Sequence, residues 1–264
     1  MLIRDKNLLK CLWLDPTILS WNAEPAADRH EEAQWRRPYE IWSHAESLLE
    51  GDPSDFKRVD ALTTLKRAVD RRVRQLNALH NLKGIPIPDK PIGTLELLKY
   101  IGLIRPMMLQ RLIEIRNAVE HEDTSPPTVE ELLIFLEFVW YFLRSTDNAL
   151  RHPLGVFHLQ PSALDEISPY GFEVTLSPDT NWIPKISGWV EPSMLFAEPK
   201  EGWLVVNLPR AETREQVIKR APHVSYFGIP DERGKNPDDI LLSGEVRGPK
   251  EAIIQLIRIS FRLI

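Results

Sequence analysis

The stretch "PMMLQRLIEIRNAVEHEDTSPPTVEELLIFLEFVWYFLR" spans residues 106–144 and decides the fold of the first half of the chain. Pro106 stands where a first-turn proline is favoured, and apolar residues then recur at helical spacing: Met108, Leu112, Ile115 and Val119. The segment "DTSPP" ends this helix, and Thr128 with Glu131 predicts a capping box at the start of the next one. Because "ELLIFLEFVWYFLR" is apolar nearly all round, we expect it to be the central buried helix of a bundle.

The rest of the chain predicts helices before residue 152 and strands after it. Further helices are expected over 26–49, 55–82 and 94–100. Prolines, glycines and short β-type runs then alternate, and strands are expected over 155–159, 171–176, 183–190, 203–208 and 240–246. A short helix over 214–220 and a terminal helix with Pro249 in its first turn complete the pattern. The predicted fold is α+β in two domains: an all-α bundle over 1–152, and a β-rich α+β domain with a terminal helix over 153–264.

Composition limits the compartment and the class of site. The single cysteine, Cys11, excludes an intramolecular disulfide and a multi-cysteine metal site, and it fits a reducing cytosol. No apolar run approaches the roughly 20 residues that span a bilayer, and the first residues are too weakly apolar for a signal peptide. We therefore expect a soluble, cytoplasmic protein without a membrane partner. The net charge of −5 argues against a protein that coats nucleic acid indiscriminately, but it allows a local basic groove.

Residues 116–121, "RNAVEH", are the candidate functional motif. Four Arg/His pairs in the chain have four to six intervening residues, and only Arg116/His121 has an asparagine directly after the arginine. At about 100° per residue, Arg116 lies at the edge of the apolar stripe, and Glu120, Asn117 and His121 continue from it in one polar arc. The stretch resembles the motif of HEPN ribonucleases, in which a polar residue, typically Asn, follows the arginine. The resemblance covers the N-terminal half as architecture and six residues as motif.

The residue types of the motif predict metal-independent cleavage of RNA. His121 can move protons near neutral pH, Arg116 can hold a phosphate through two hydrogen bonds, and Asn117 can orient either group. Together with Glu120 they are the candidate catalytic residues. We expect no metal and no cofactor, because the sequence offers no compact carboxylate cluster and no His-x-x-x-His helix. Such a site needs an internal nucleophile, which the 2′-OH of RNA supplies, so the expected products are a 2′,3′-cyclic phosphate and a 5′-OH.

An ordinary structural role for the same residues stays open. Arg116 and Glu120 are spaced for an i,i+4 ion pair, and a histidine at a helix C-terminus meets the negative end of the helix dipole. Asn117 could simply be solvated. In that case the motif is a charged helix end without catalytic function.

Arginines on the second long helix form a candidate RNA-binding face. Arg67, Arg71 and Arg74 recur at helical spacing opposite the leucine stripe, and Lys66 and Arg72 flank them. Such a face can follow the phosphates of an RNA strand. A solvated helix face with local ion pairs would have the same pattern.

The resemblance also implies partners and a biological class. HEPN enzymes are generally homodimers in which two motifs face one cleft, so a composite active site is expected. The chain resembles effectors of toxin–antitoxin or antiphage systems, and the C-terminal domain is the candidate for binding an antitoxin or a trigger protein. The alternatives are a non-catalytic HEPN scaffold that dimerises and binds RNA or protein, and a helical adaptor with an accidental motif.

Overall fold

The computed structural model describes residues 10–28, 36–105, 107–121, 124–151, 154–161, 168–220 and 236–263. These residues form seven α-helices and one eight-stranded antiparallel sheet. The helices are α1 Arg37–Ser47, α2 Asp55–His80, α3 Thr94–Tyr100, α4 Met107–His121, α5 Val129–Arg151, α6 Arg214–Arg220 and α7 Lys250–Ser260. The strands are β1 Cys11–Leu14, β2 Asn22–Asp28, β3 Leu154–Gln160, β4 Gly171–Thr175, β5 Lys185–Val190, β6 Leu195–Phe196, β7 Leu204–Thr213 and β8 Ile240–Val246. None of the helices in the described ranges has the length and apolarity needed to cross a membrane.

The sheet includes two strands from the start of the chain. Its order is β2-β3-β4-β5-β8-β7-β1-β6, so β2 forms one edge and β1 lies between β7 and β6. The prediction that all of residues 1–152 belong to a helical bundle is therefore wrong at its N-terminal end. The predicted helix over 26–49 fails for the same reason: β2 runs to Asp28 and pairs with β3, and α1 begins only at Arg37, with Pro38 in its first turn.

The helical part and the sheet share one continuous set of buried apolar side chains, which includes Leu65, Phe157 and Leu256. A second group of contacts joins them at the end of α2. The Trp182 indole N–H donates to the carbonyl of His80, and the His80 ring lies 2.7 Å from the carbonyl oxygen of Ala149. The Phe261 ring packs against both His80 and Trp182. A division into two domains at residue 152 is thus not confirmed.

Helix α5 is buried on one side only. The sequence predicts a helix that is surrounded by protein, yet Leu133, Ile134, Phe138 and Tyr141 are 46%, 51%, 39% and 59% exposed. The reason is that α1, α2 and α4 all pack against the other side of α5, where Leu132, Val139 and Leu143 are fully buried. The expectation of a central buried helix is therefore wrong, and α5 presents an outer face on which these apolar side chains alternate with the exposed Glu137 and Arg144.

A buried ion pair fixes α2 against α5. The Arg72 guanidinium is fully buried and donates at 3.0 Å to the Asp147 carboxylate, to the Thr146 hydroxyl and to the carbonyl of Leu143. The Tyr39 hydroxyl of α1 donates to the same carboxylate at 2.8 Å. Burial raises the pKa of Tyr39, and the neighbouring Asp147 carboxylate raises it further, so the phenol stays protonated as a donor. Three helices thus meet at one carboxylate.

We expect Asp147→Ala to lower the free energy of unfolding by about 3–5 kcal/mol, because it leaves the Arg72 charge buried without its counter-ion. Chemical denaturation followed by circular dichroism measures the change. Asp70→Ala is the matched control: it removes the Lys66–Asp70 pair, which is partly exposed to solvent, and should cost roughly 0–1 kcal/mol. Equal losses in the two variants would contradict the role assigned to the buried pair.

The predicted capping box at the start of α5 is confirmed. The backbone N–H of Thr128 donates to the Glu131 carboxylate at 2.8 Å, and the backbone N–H of Glu131 donates to the Thr128 hydroxyl at 3.2 Å. Two backbone donors that the helix cannot use are thereby satisfied.

Thr128→Ala should lower the free energy of unfolding by about 1 kcal/mol, since it removes the cap acceptor. Thr124→Ala serves as the control, because Thr124 is exposed and lies outside any helix. Thermal and urea unfolding of both variants check the difference. A Thr128 variant as stable as the Thr124 variant would show that the box contributes nothing.

Candidate active site

Helix α4 carries the motif on the border of its buried face. Leu109 and Leu112 are buried, and Ile115 and Val119 are half-buried against the core, as the helical spacing predicts. Met108, the first member of the predicted stripe, has a side chain outside the described set. Arg116 and Glu120 lie at the edge of this face with side chains 23% and 26% exposed, whereas Asn117 and His121 are exposed. The predicted polar arc is therefore present.

Three of the four motif side chains are in direct contact. The Arg116 guanidinium forms an ion pair with Glu120, and its Nη1 donates to the side-chain oxygen of Asn117 at 3.2 Å. Glu120 also accepts a hydrogen bond from the Thr63 hydroxyl of α2 at 3.2 Å. The motif is thus held to α2 through Glu120, an anchor that sequence spacing does not reveal.

Arg116 retains donors for a ligand. A guanidinium has five N–H groups. One N–H of Nη2 is directed to Glu120, and one N–H of Nη1 donates to Asn117. The Nε–H is buried without a hydrogen-bond partner among the described residues. The second N–H of each terminal nitrogen can therefore reach a phosphate while the Glu120 pair is kept.

His121 stands apart from this cluster. It is the last residue of α4, its side chain is exposed, and no hydrogen bond or ion pair joins it to any other described residue. Its place at the helix C-terminus fits an ordinary interaction with the negative end of the helix dipole, and it fits a catalytic role equally well. The structure therefore brings Arg116, Asn117 and Glu120 together and leaves the imidazole accessible to a ligand or to a second protein surface.

A second cluster of charge lies between α1 and α2. Among the described residues, an open pocket of about 300 Å³ is lined by Arg37, Ile41, Arg67, Arg71 and Arg74. The three predicted arginines of α2 thus share one pocket. Lys66, predicted with them, pairs instead with Asp70 and is not among the described lining residues. Arg72, which the sequence places on the flank of this face, is directed into the core.

Arg37 is the pocket residue that sequence analysis missed as a binding residue. It comes from α1, and its exposed guanidinium pairs with Glu40 one turn away at 2.7 Å. No spacing within α2 could indicate it, because it reaches the pocket only through the packing of α1 on α2. The doublet Arg36-Arg37 before Pro38 was the available signal.

The pocket and the motif share one face of α2. Thr63 contacts the motif, and Arg67 and Arg74 follow it at positions within about 40° around the helix axis. Along the axis these two arginines lie about 6 Å and about 16 Å beyond Thr63. One helix face therefore connects the two clusters of charge. No group of three or more His, Cys, Asp or Glu side chains within the described part of the chain is arranged to hold a metal ion.

Comparison of the chain with protein-family models, with curated proteins and with solved structures gave no significant match.

Proposed function

We propose that this protein is a HEPN-type, metal-independent endoribonuclease. The observation that carries the proposal is the arrangement around α4: Arg116 with two remaining donors, and an accessible His121 five residues further along the helix. A pocket of arginines on the adjoining face of α2 supports an anionic substrate. Arginine and histidine are the two side chains that phosphate binding and proton transfer require in the absence of a metal.

The proposed reaction uses the 2′-OH of RNA as the nucleophile. The imidazole of His121 takes the proton of the 2′-OH, and the 2′-oxygen attacks the adjacent phosphorus. Arg116 binds the non-bridging oxygens and stabilises the charge that develops on them, while Asn117 and Glu120 hold its guanidinium in place. The bond from phosphorus to the 5′-oxygen breaks, and that oxygen receives a proton. The products are a 2′,3′-cyclic phosphate and a 5′-OH.

The proton for the leaving oxygen is proposed to come from the histidine of a second copy of the chain, because one imidazole cannot serve as base and acid in the same step. The exposed face of α5 that carries Leu133, Ile134, Phe138 and Tyr141, with Glu137 and Arg144 among them, is the surface we assign to this homodimer. Helix α4 packs against the opposite, buried side of α5, so in the proposed dimer the partner's histidine reaches the motif past the edge of α5.

In the cell the proposed role is that of a cytoplasmic toxin or antiphage effector whose RNA cleavage halts growth. Arg67, Arg71, Arg74 and Lys66 are the proposed RNA-binding residues, with Lys66 available only when its pair with Asp70 opens. The C-terminal β-rich part is the proposed binding region for an antitoxin or trigger protein.

A non-catalytic scaffold that binds RNA or protein is the second candidate function. The observation that favours it is the engagement of Arg116 by Glu120 and Asn117, together with the lack of contact between His121 and the other motif residues in the described structure. This arrangement is that of an ordinary charged helix end.

Purified protein should cut single-stranded RNA in the presence of EDTA, and Arg116→Ala and His121→Ala should each reduce the rate on the order of 10²–10⁴-fold. Gel electrophoresis of end-labelled RNA measures the rate and identifies the cyclic phosphate. The matched controls are Arg111→Ala, an exposed arginine of the same helix, and His44→Ala, an exposed histidine of α1. The 2′-deoxy form of the same RNA should remain uncut.

Full activity in either motif variant would overturn the assigned site. A wild-type protein that binds RNA but produces no cuts at any concentration would favour the scaffold.

Sedimentation should give twice the chain mass of 30.5 kDa, and Phe138→Glu should shift the protein to monomer and abolish cleavage. A charge placed on this apolar face opposes burial against a second copy. Phe56→Glu is the control, because Phe56 is 83% exposed and belongs to α2, not to α5. A monomeric wild-type protein with full activity would contradict the composite site.

A further inference from the structure

The arginine pocket between α1 and α2 concentrates more positive charge than a phosphodiester can balance. Arg37, Arg67, Arg71 and Arg74 line one pocket of about 300 Å³, and each guanidinium is permanently charged. A nucleic-acid backbone offers one negative charge per phosphate, spread along the strand. A terminal phosphate carries roughly −1.5 to −2 charges at pH 7, and each further phosphate in a chain adds to it within a compact group.

We propose that this pocket binds a compact oligophosphate, namely the 5′-terminal triphosphate of an RNA or the triphosphate of a free nucleotide. The inference adds a specific ligand to the RNA-binding face of the proposed function. It rests on the proposed function only in assigning RNA to this face. The binding of the oligophosphate itself requires neither cleavage nor a dimer.

The arrangement of the arginines suits such a ligand. Arg67, Arg71 and Arg74 project from successive turns of α2, while Arg37 approaches from α1, so guanidinium groups surround a ligand from two helices. Planar guanidinium groups bind phosphate oxygens in pairs of parallel hydrogen bonds. The pocket volume lies at the lower end of the range for small-molecule sites, which favours a phosphate chain over a whole folded nucleic acid.

The local ion pairs leave the charge of Arg37, Arg67 and Arg74 available to a ligand. No carboxylate among the described residues lines the pocket, and Arg67 and Arg74, both exposed, form no ion pair within the described ranges. The pair of Arg37 with Glu40 lies at the surface, where both side chains are more than half exposed. Such pairs are weak and are screened by salt, so a polyvalent anion can displace Glu40. Ile41 supplies an apolar wall that a ribose or base can contact.

The position of the pocket gives the oligophosphate a role relative to the motif. Arg67 and Arg74 lie about 6 Å and about 16 Å along α2 from Thr63, which holds Glu120 of the motif. An RNA whose 5′ end is bound in the pocket therefore has its first nucleotides beside Arg116. In this arrangement the distance between the pocket and the motif sets how many nucleotides lie between the 5′ end of the RNA and the cut.

The test is binding by the His121→Ala protein, in which cleavage is too slow to consume the probes during the measurement. Binding is followed by fluorescence anisotropy and by competition. The probes are one short RNA sequence ending in a 5′-triphosphate, a 5′-monophosphate or a 5′-OH, together with ATP and inorganic tripolyphosphate. All measurements are made in EDTA at physiological ionic strength. The variants are Arg67→Ala and Arg74→Ala, whose exposed side chains can be removed without opening the core. Arg247→Ala, a surface arginine paired with Glu245 on the sheet side, is the control.

The expected result is at least tenfold tighter binding of the triphosphate-ended RNA than of the hydroxyl-ended RNA, lost in both pocket variants and kept in the control. Competition by ATP and tripolyphosphate at similar concentrations identifies the free nucleotide as a source of the ligand, whereas tight binding of the triphosphate-ended RNA alone identifies the RNA end. Equal affinity for all three RNA ends, or tight binding that survives both substitutions, overturns the proposal. Because the probes are not cut, a failure here is distinct from a failure of the proposed nuclease activity.

Discussion

The buried pair of Arg72 and Asp147 is the constraint on which the helical part depends. A charge with no exposure to solvent is tolerated only with its counter-ion and hydrogen-bond acceptors in place, and here they come from α5, while Tyr39 of α1 donates to the same carboxylate. The rotation of α2 about its axis is thereby fixed. Because Arg72 is directed inward, Arg67 and Arg74 are held on the outer surface, and Thr63 is held against Glu120 of α4.

The proposed catalytic and binding residues are therefore organised by α2, although the motif itself lies on α4. Glu120 joins the two helices by accepting from Thr63 and pairing with Arg116. This contact is compatible with both functional readings. In an enzyme it fixes the guanidinium that binds phosphate, and in a scaffold it is one of several polar contacts that stabilise the bundle. The exposure of His121 fits both, since an accessible imidazole at a helix C-terminus suits proton transfer as well as an ordinary interaction with the helix dipole.

Local patterns in the sequence predicted the elements whose causes are local. The capping box of Thr128 and Glu131 and helix α6 depend on neighbouring residues, and both are found as expected. The failures have distant causes. Strand β1 has only four residues and gains its hydrogen bonds from β7, 196 positions away for Cys11 and Asn207. Arg72 was expected on the surface because its counter-ion, Asp147, lies 75 residues further along the chain and no local pattern pairs the two. Because α5 is apolar nearly all round, its sequence does not indicate which side is exposed. Arg37 reaches the pocket only through tertiary packing.

The place of β1 in the sheet sets the order in which parts of the chain can fold during synthesis. Every helix from α1 to α5 leaves the ribosome before β7 exists, so Leu12 and Leu14 lack their partners Val206 and Leu204 during that time. At cellular translation rates the 196-residue separation corresponds to roughly 10–40 s. The motif helix is thus made well before the sheet can close around β1. A nascent chain carries Arg116 and His121 while its apolar strand is still exposed, which gives a chaperone or a co-translational partner a defined interval in which to bind.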